Sequence, residues 1–249
     1  YKRQAYAPLN KSFETQRAYI TEALTLADSD IDFSKADGFL IIANPDAEGI
    51  GNSGPAFSAL TGWGVTFDGK TMYNGATSSH DINNWGSIWA NHEMSHTMGL
   101  VDVYAATHSD GVTEYEDLFR YTGQFSYMGF SDFNSNAPSL FAYERWNLGW
   151  LDDSQVICDT APKQTLITPV EQTGGVKALM IPLSPTKEIV IESRRAIGLD
   201  SKIAKSGALV YVVDSTKQSG FGPVQVYPID LKNDPKYLKA PLATGQSVT

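Results

Sequence analysis

The segment WANHEMSHTMGLVD, residues 89–102, constrains the fold of this chain more than any other stretch of the sequence. On a helix with about 100° between successive residues, His92 and His96 lie one turn apart on the same face. Two neutral imidazoles at this spacing can both bind one zinc ion. The carboxylate of Glu93 falls slightly round the same face, where it can approach a water molecule on the metal without binding the metal. The segment therefore predicts a helix that carries two zinc ligands and an acidic group beside them.

The residues after this helix supply a candidate third ligand. Gly99 stands three residues after His96, and glycine at a helix end permits a left-handed turn without the steric cost of a Cβ atom. Such a turn brings the chain back under the metal, and Asp102 follows three residues later. A carboxylate oxygen binds zinc at about 2.0–2.2 Å. Two histidines and one aspartate leave a fourth position open, which is typical of a catalytic zinc ion.

The pattern HExxHxxGxxD, residues 92–102, resembles the zinc signature of the metzincin peptidases, with aspartate in place of the usual third histidine. Metzincins also carry a tight turn whose methionine forms a hydrophobic base under the metal, and the segment FSYMGF supplies Met128 as the candidate. The closer resemblance is to the immune inhibitor A-like peptidases, an exported bacterial group that uses aspartate as the third ligand. It covers roughly residues 37–215 and includes YERWNLGWL at residues 143–151.

The resemblance implies a secreted zinc-dependent endopeptidase that acts on a protein or peptide substrate. The implied zinc ligands are His92, His96 and Asp102, with Met128 beneath the metal and Glu93 as the general base. Glu93 would take a proton from the zinc-activated water and hand it to the leaving amine. Two alternatives stay open: a catalytically degenerate, zinc-stabilised binding or adhesion module, and a hydrolase that uses the same chemistry on a non-peptide substrate.

A rival third ligand is Glu116, which stands 20 residues after His96 in the segment TEYEDLF. That spacing resembles the thermolysin-like zinc peptidases, whose third ligand is a glutamate on a following helix. We favour Asp102 because the thermolysin-like pattern has no use for Gly99. Met128, too, has a role only in the metzincin arrangement.

Two residues depart from the family pattern. Val101 stands where the immune inhibitor A-like group usually has proline, which leaves the approach to Asp102 less rigid. Phe130 replaces the tyrosine that some metzincins use as an extra zinc ligand. Tyr104 and Tyr127 are therefore the candidates for a group that supplies a proton or stabilises the oxyanion.

Helical periodicity occurs at two places. Residues 11–30 have helical spacing, with Ser12 as a candidate N-cap. Residues 82–99 predict the helix of the two histidines. The residues that we expect to form the core face of this second helix are Ala90, Met94 and Met98.

Strand patterns occupy much of the rest of the chain. DGFLIIAN, residues 37–44, is typical of a strand buried on both faces. GVTFDGKTMYNG, residues 64–75, predicts a hairpin that turns at its DG dipeptide. Its second half, GKTMYNG, is a candidate edge strand for pairing with substrate. The β-rich runs after residue 155 are residues 164–170, 177–183, 188–194, 208–214 and 224–228.

These patterns predict an α+β fold with a β-rich C-terminal part, and the resemblance implies that it is of metzincin-like type, with a mixed, twisted sheet, helices and a central zinc-binding helix. We expect a catalytic domain at residues 1–155, with an upper subdomain to about residue 101 and a lower one with the methionine turn after it. Residues 156–249 should form a β-rich segment packed on that domain.

Charge and hydropathy limit the partners of the chain. Its net charge is −9, and its 19 Lys and Arg residues are scattered, whereas nucleic-acid binding needs a basic face. No run of 18 apolar residues occurs, so we expect no membrane span. We expect a monomer.

Two further features have simple interpretations. Cys158 is the single cysteine, so it makes no internal disulfide, and we expect a partly buried thiol. Two runs alternate oxygen-bearing side chains but lack the Gly and Glu of a calcium-binding EF-hand loop, so we interpret both as solvated turns and leave one structural calcium ion open. These runs are Asp28, Asp30 and Asp32, and Asp132, Asn134 and Asn136.

Overall fold

The structure, a computed structural model, describes residues 12–45, 56–59, 61–106, 115–130, 138–161, 163–227, 233–234 and 236–248. Within these ranges the chain is an α+β protein with four α-helices and three β-sheets, which confirms the predicted fold class at this level. The chain divides into two compact units, one that ends at Gly99 and one that begins at Leu100. The division at residue 155 stays a prediction. None of the described helices is both long enough and apolar enough to cross a membrane.

Helix α1, Phe13–Ala27, organises the core of the first unit. Ser12 caps its N-terminus, as predicted, because the Ser12 side-chain oxygen accepts a hydrogen bond from the backbone N–H of Thr15 at 3.1 Å. The buried apolar residues of α1 are Ile20 and Leu24. They belong to a hydrophobic core whose other buried members are Phe33, Phe39, Phe57, Val65 and Met72.

The strands described in the first unit are β1 Gly38–Ile42, β2 Ala56–Ser58, β3 Val65–Phe67, β4 Lys70–Met72 and β5 Asn74–Ser78. β3 and β4 form the predicted hairpin. Asp68 and Gly69 at its turn have positive φ angles of 50° and 75°, which matches the residue preference of a type I′ turn. The other three strands form a separate sheet in the order β1-β5-β2, with β5 parallel to β1 and antiparallel to β2.

The prediction that β1 is buried on both faces is wrong. Phe39 points into the core and is 7% exposed, whereas Leu40 and Ile42 are 43% and 57% exposed. Successive side chains of a strand point to opposite faces, so one face of β1 is covered and the other is not. A continuous apolar run in the sequence does not distinguish a strand that is buried on both faces from a strand that is buried on one face only.

Two helices follow β5: α2, Asp81–Trp85, and α3, Ile88–Thr97. The sequence predicts a single helix here, but the chain breaks at Gly86, where φ is 71° and lies outside the helical region. The predicted core face of α3 is also wrong, because Met98 is 49% exposed and Ala90 and Met94 are only partly buried. The buried residues of α3 are His92, Glu93 and Ser95. α3 therefore turns its polar residues inward.

The second unit contains helix α4, Ala142–Asn147, and a five-stranded sheet. Its strands are β6 Val156–Cys158, β7 Ala178–Ser184, β8 Lys187–Arg194, β9 Gly207–Asp214 and β10 Val224–Tyr227. Their order in the sheet is β10-β9-β8-β7-β6, in which the β6–β7 pair is parallel and the other pairs are antiparallel. The predicted run at residues 164–170 forms no strand, and Leu166 within it is 89% exposed. Cys158 is exposed rather than partly buried, because it ends a short outer strand of the sheet.

A buried ionic cluster connects α4 to this sheet. The guanidinium of Arg194 on β8 donates to both oxygens of Asp200, at 3.0 and 2.9 Å, and to one oxygen of Glu192, at 2.5 Å. The other oxygen of Glu192 accepts from the backbone N–H of Ala142 at 2.6 Å and from the hydroxyl of Tyr211 at 2.8 Å. Buried charges that are paired and hydrogen-bonded avoid the desolvation cost of an isolated charge. The cluster therefore fixes the start of α4 on β8 and β9.

Glu144 on α4 is a further buried carboxyl group, only 3% exposed. Its Oε2 atom accepts from the Ser126 hydroxyl at 2.7 Å and from the backbone N–H of Phe141 at 2.8 Å. Burial raises the pKa of Glu144 to about 7, although these hydrogen bonds and the charge of Arg194 lower it. Glu144 is therefore largely protonated in the folded chain at mildly acidic pH.

Glu144→Gln should change how the free energy of unfolding depends on pH. The pKa of Glu144 rises on folding from its ordinary value of 4.5 to about 7, so the protonated form stabilises the fold. That contribution, about 3 kcal/mol, is fully present below about pH 4.5 and is lost as the pH rises through about 7. The glutamine of the variant does not titrate, so it makes no such pH-dependent contribution to the free energy of unfolding. Urea unfolding should show the wild type losing stability relative to the variant between about pH 5 and pH 8, and parallel profiles would contradict the titration of Glu144.

Candidate metal centre

The two histidines of α3 lie as helical spacing predicts. The ring centroids of His92 and His96 are 4.8 Å apart and the rings are perpendicular. His92 is 3% exposed, and the ring of Trp89 stacks on it in a parallel arrangement with the centroids 5.8 Å apart. This stacking on Trp89 restricts the rotation of the His92 ring, so the orientation of this imidazole is limited by a neighbouring side chain.

The turn after α3 has the left-handed geometry predicted for its glycine. Gly99 has a φ of 99°, and its N–H donates to the carbonyl oxygen of His96 at 3.0 Å. A Cβ atom at Gly99 would meet no neighbouring atom within 4 Å, so the need for glycine comes from the backbone conformation and not from lack of space. The chain can therefore reverse directly after the helix.

The short segment from His92 to Asp102 brings three potential metal ligands together. One ligand atom each from His92, His96 and Asp102 all lie within 4.8 Å of one another. His92 is buried, and the other two residues are half-buried. In the described part of the chain, no other group of three or more His, Cys, Asp or Glu residues lies this close together. The sequence-based ligand set thus coincides with this cluster.

The donor set of this cluster fits zinc. Three ligand atoms at about 2.0–2.2 Å from a tetrahedral ion lie about 3.3–3.6 Å from one another, so the observed spacing needs only small side-chain adjustments. Two imidazoles and one carboxylate are typical of zinc sites, whereas Ca²⁺ and Mg²⁺ prefer oxygen ligands alone. The cluster can therefore hold one zinc ion.

Asp102 is held by a loop far along the chain. The Ser219 hydroxyl donates to the Oδ2 atom of Asp102 at 3.0 Å and accepts from the backbone N–H of Asp102 at 3.0 Å. The N–H of Gly220 donates to the carbonyl oxygen of Asp102 at 2.9 Å. No local sequence pattern indicated these contacts, because the two residues are 117 positions apart.

Glu93, which follows His92 on α3, has a defined side-chain orientation. Its side chain is 3% exposed, and its Oε2 atom accepts a hydrogen bond from the backbone N–H of Ala56 at 2.6 Å. Ala56 begins strand β2. The contact between α3 and β2 therefore limits the rotation of the Glu93 carboxylate, and sequence reasoning did not identify Ala56 as its partner.

Met128 lies in a tight turn, closed by a hydrogen bond from the N–H of Gly129 to the carbonyl oxygen of Ser126 at 3.0 Å, and is completely buried. The N–H of Val103, next to Asp102, donates to the carbonyl oxygen of Met128 at 3.0 Å. Ser126, at a φ of 67°, accepts from the N–H of Met128 at 3.1 Å and donates to Glu144. Hydrogen bonds therefore connect this turn to Val103, next to Asp102, and through Ser126 to Glu144 on α4. That the thioether of Met128 lies beneath the metal stays a prediction.

His80, another of the chain's four histidines, lies in the described part of the chain and is not part of the cluster. The Nδ1 atom of His80 lies 3.1 Å from the carbonyl oxygen of Pro45. His108 lies outside the described residues, as does the side chain of Glu116, whose backbone belongs to a short 3-10 helix at Tyr115–Phe119. The rival ligand therefore stays untested by this geometry.

The two candidate tyrosines, Phe130 and Asp32 of the first oxygen-rich run differ in burial and in their contacts. Tyr127 is 8% exposed, Tyr104 is half-buried, and the roles suggested for both stay predictions. The ring of Phe130 packs edge-on against Phe119, with the centroids 5.2 Å apart. Asp32 accepts hydrogen bonds from the backbone and hydroxyl of Ser34, as expected of a turn residue. The run from Asp132 to Asn136 lies outside the described residues.

Comparison of the chain with protein-family models, with curated proteins and with solved structures finds no match. The metzincin resemblance therefore stays a hypothesis, and only the residues of the site support a function for this chain.

Asp102→Ala should lose its zinc, whereas Glu116→Ala should keep it. Removal of a direct ligand should weaken binding by at least the 10- to 100-fold that is typical of losing a supporting contact. Metal analysis of both variants after dialysis distinguishes the two third ligands. Retention of zinc by Asp102→Ala with loss from Glu116→Ala would transfer the site to the thermolysin-like arrangement.

Met128→Leu should be a mild change. Volume is nearly conserved, and such substitutions in a core usually cost under about 1.5 kcal/mol. We expect a lower unfolding temperature with zinc still bound. Complete loss of zinc from this variant would mean that the sulfur binds the metal, contrary to a purely packing role.

Proposed function

We propose that this chain is a zinc-dependent endopeptidase of metzincin type, similar to the immune inhibitor A-like peptidases and secreted like them. The observation that carries the proposal is the cluster of His92, His96 and Asp102, with Glu93 on the same helix. Three protein ligands leave a zinc ion one open position, which is the arrangement of catalytic rather than structural zinc sites. A bound zinc ion would supply Lewis acidity, which polarises a carbonyl group and lowers the pKa of water.

Glu93 would act as the general base. It follows the first histidine directly on α3 and is not one of the three clustered ligands. Its hydrogen bond from Ala56 at 2.6 Å holds the carboxylate in one orientation. A carboxylate held in this way can accept a proton from the attacking water and return it to the leaving amine, and such proton transfer typically contributes 10² to 10⁴ in rate.

The strand that is hydrogen-bonded to Glu93 supports a peptide substrate. β2 stands at the end of the three-stranded sheet and pairs with β5 on one side, and no described strand pairs with its other side. An extended peptide can add to such an edge through backbone hydrogen bonds. The edge strand proposed from the sequence, residues 69–75, is divided between β4, which pairs with β3 in a two-stranded sheet, and the start of β5, which is the central strand of its sheet. We prefer β2 because the N–H of its Ala56 donates to Glu93. We therefore assign substrate pairing to β2.

Glu93→Gln should abolish peptide hydrolysis and leave zinc content unchanged. The substitution keeps the size of the side chain and removes its basicity, so the rate should fall by about 10² to 10⁴. A suitable assay is cleavage of denatured protein or a peptide library, with and without a chelator. Glu14→Gln is the matched control, since Glu14 is an exposed residue on α1 and should not affect the rate.

The outcomes separate the rival functions. Retention of more than about half of the wild-type rate in Glu93→Gln would exclude Glu93 as the general base. A wild-type protein that binds zinc but cleaves none of the substrates would favour a zinc-stabilised binding or adhesion module. Cleavage that a chelator does not affect would contradict the zinc mechanism itself.

A further inference from the structure

We propose that Ser219 is a positioning residue for the metal ligand Asp102, so that the loop between β9 and β10 takes part in forming the metal centre. The inference rests on the metal site of the proposed function and extends it to a residue 117 positions away from the ligand. It assigns to the C-terminal β-rich sheet a role in metal binding.

The two hydrogen bonds of Ser219 determine where its proton points. The Ser219 hydroxyl oxygen accepts the backbone N–H of Asp102 at 3.0 Å. A serine hydroxyl has one proton to donate, and the carboxylate oxygen Oδ2 of Asp102 is a pure acceptor at 3.0 Å. The hydroxyl therefore joins the backbone and the carboxylate of the same residue. This restricts the rotation of the carboxylate.

Such a contact is what a carboxylate ligand needs. Carboxylates that bind a metal are generally hydrogen-bonded in turn, and these supporting bonds keep the ligand in its binding orientation before the metal arrives. Without the bond, Asp102 would lose rotational freedom only on metal binding, and the affinity would be lower. Ser219 would thus act through Asp102 and need not touch the metal.

The backbone around Ser219 keeps the hydroxyl in place. The N–H of Gly220 donates to the carbonyl oxygen of Asp102 at 2.9 Å, and the carbonyl oxygen of Gly220 accepts from the N–H of Ala106 at 3.1 Å. Gly220 has a φ of 74°, and a Cβ atom there would lie 2.1 Å from the Cβ of Ala106. The loop and the segment after Asp102 therefore approach each other as closely as only glycine allows.

The ends of the loop are fixed by the sheet. Val213 of β9 pairs with Val224 of β10, and the N–H of Asp214 donates to the carbonyl oxygen of Pro223 at 2.9 Å. Within the loop, the N–H of Phe221 donates to the carbonyl oxygen of Gln218 at 3.0 Å. The position of Ser219 is therefore set by strand pairing and not by its immediate neighbours alone.

Ser219→Ala, Ser219→Thr and Ser215→Ala test this role through metal affinity. Ser215 is the matched control because it lies in the same loop and its hydroxyl donates to the carbonyl oxygen of Thr186 at 3.2 Å, away from Asp102. Affinity is measured by competition of the purified full chain with a chromogenic chelator for Zn²⁺, and by the visible spectrum on titration with Co²⁺. We expect Ser219→Ala to bind Zn²⁺ about 10- to 100-fold more weakly. Ser219→Thr, which keeps the hydroxyl, should restore the affinity, and Ser215→Ala should match the wild type.

The unfolding temperature of the metal-free proteins separates positioning from general loop stability. If Ser219 positions the ligand, Ser219→Ala and Ser215→Ala unfold at similar temperatures without metal and differ only in affinity. Wild-type affinity in Ser219→Ala, or no restoration by threonine, would overturn the proposal while leaving the peptidase function in place. A wild-type chain that binds neither Zn²⁺ nor Co²⁺ would overturn this inference together with the proposed metal site.

Discussion

The left-handed turn at Gly99 is the constraint on which the candidate metal centre depends. α3 ends at Thr97, and a φ of 99° at Gly99 reverses the chain so that Asp102 joins the two histidines within 4.8 Å. Any other residue would adopt this backbone conformation only with strain, although the space around the position is open. Three ligands with a suitable donor set are therefore contained in a single short segment of the chain.

That segment is supported by polar contacts from distant parts of the sequence. Glu93 accepts the N–H of Ala56 on β2, and Asp102 accepts the hydroxyl of Ser219 from the β9–β10 loop. In the second unit, Glu144 holds the turn of Met128 through the hydroxyl of Ser126. Buried or half-buried polar groups need such partners, because an unsatisfied group costs more free energy than the bond contributes when it forms.

The proposed chemistry follows from the combination of these parts and not from the fold class. An α+β architecture accommodates many unrelated reactions. A ligand set that could hold one zinc ion, together with an oriented carboxylate one residue from the first ligand, supports the proposal of hydrolysis by a metal-activated water. The edge strand β2, which supplies the N–H for Glu93, also offers the backbone groups that an extended peptide could use.

The sequence by itself determined the local features of this protein: the capped helix α1, the hairpin at Asp68, the spacing of the two histidines and the glycine turn that leads to Asp102. Each of these depends on residues within about one or two helical turns, where backbone geometry follows from residue type. Only the tertiary structure decided which face of β1 is covered, that α3 turns polar residues inward, and that Ser219 contacts Asp102. Burial and long-range hydrogen bonds depend on which elements pack together, and residue periodicity does not specify the partner.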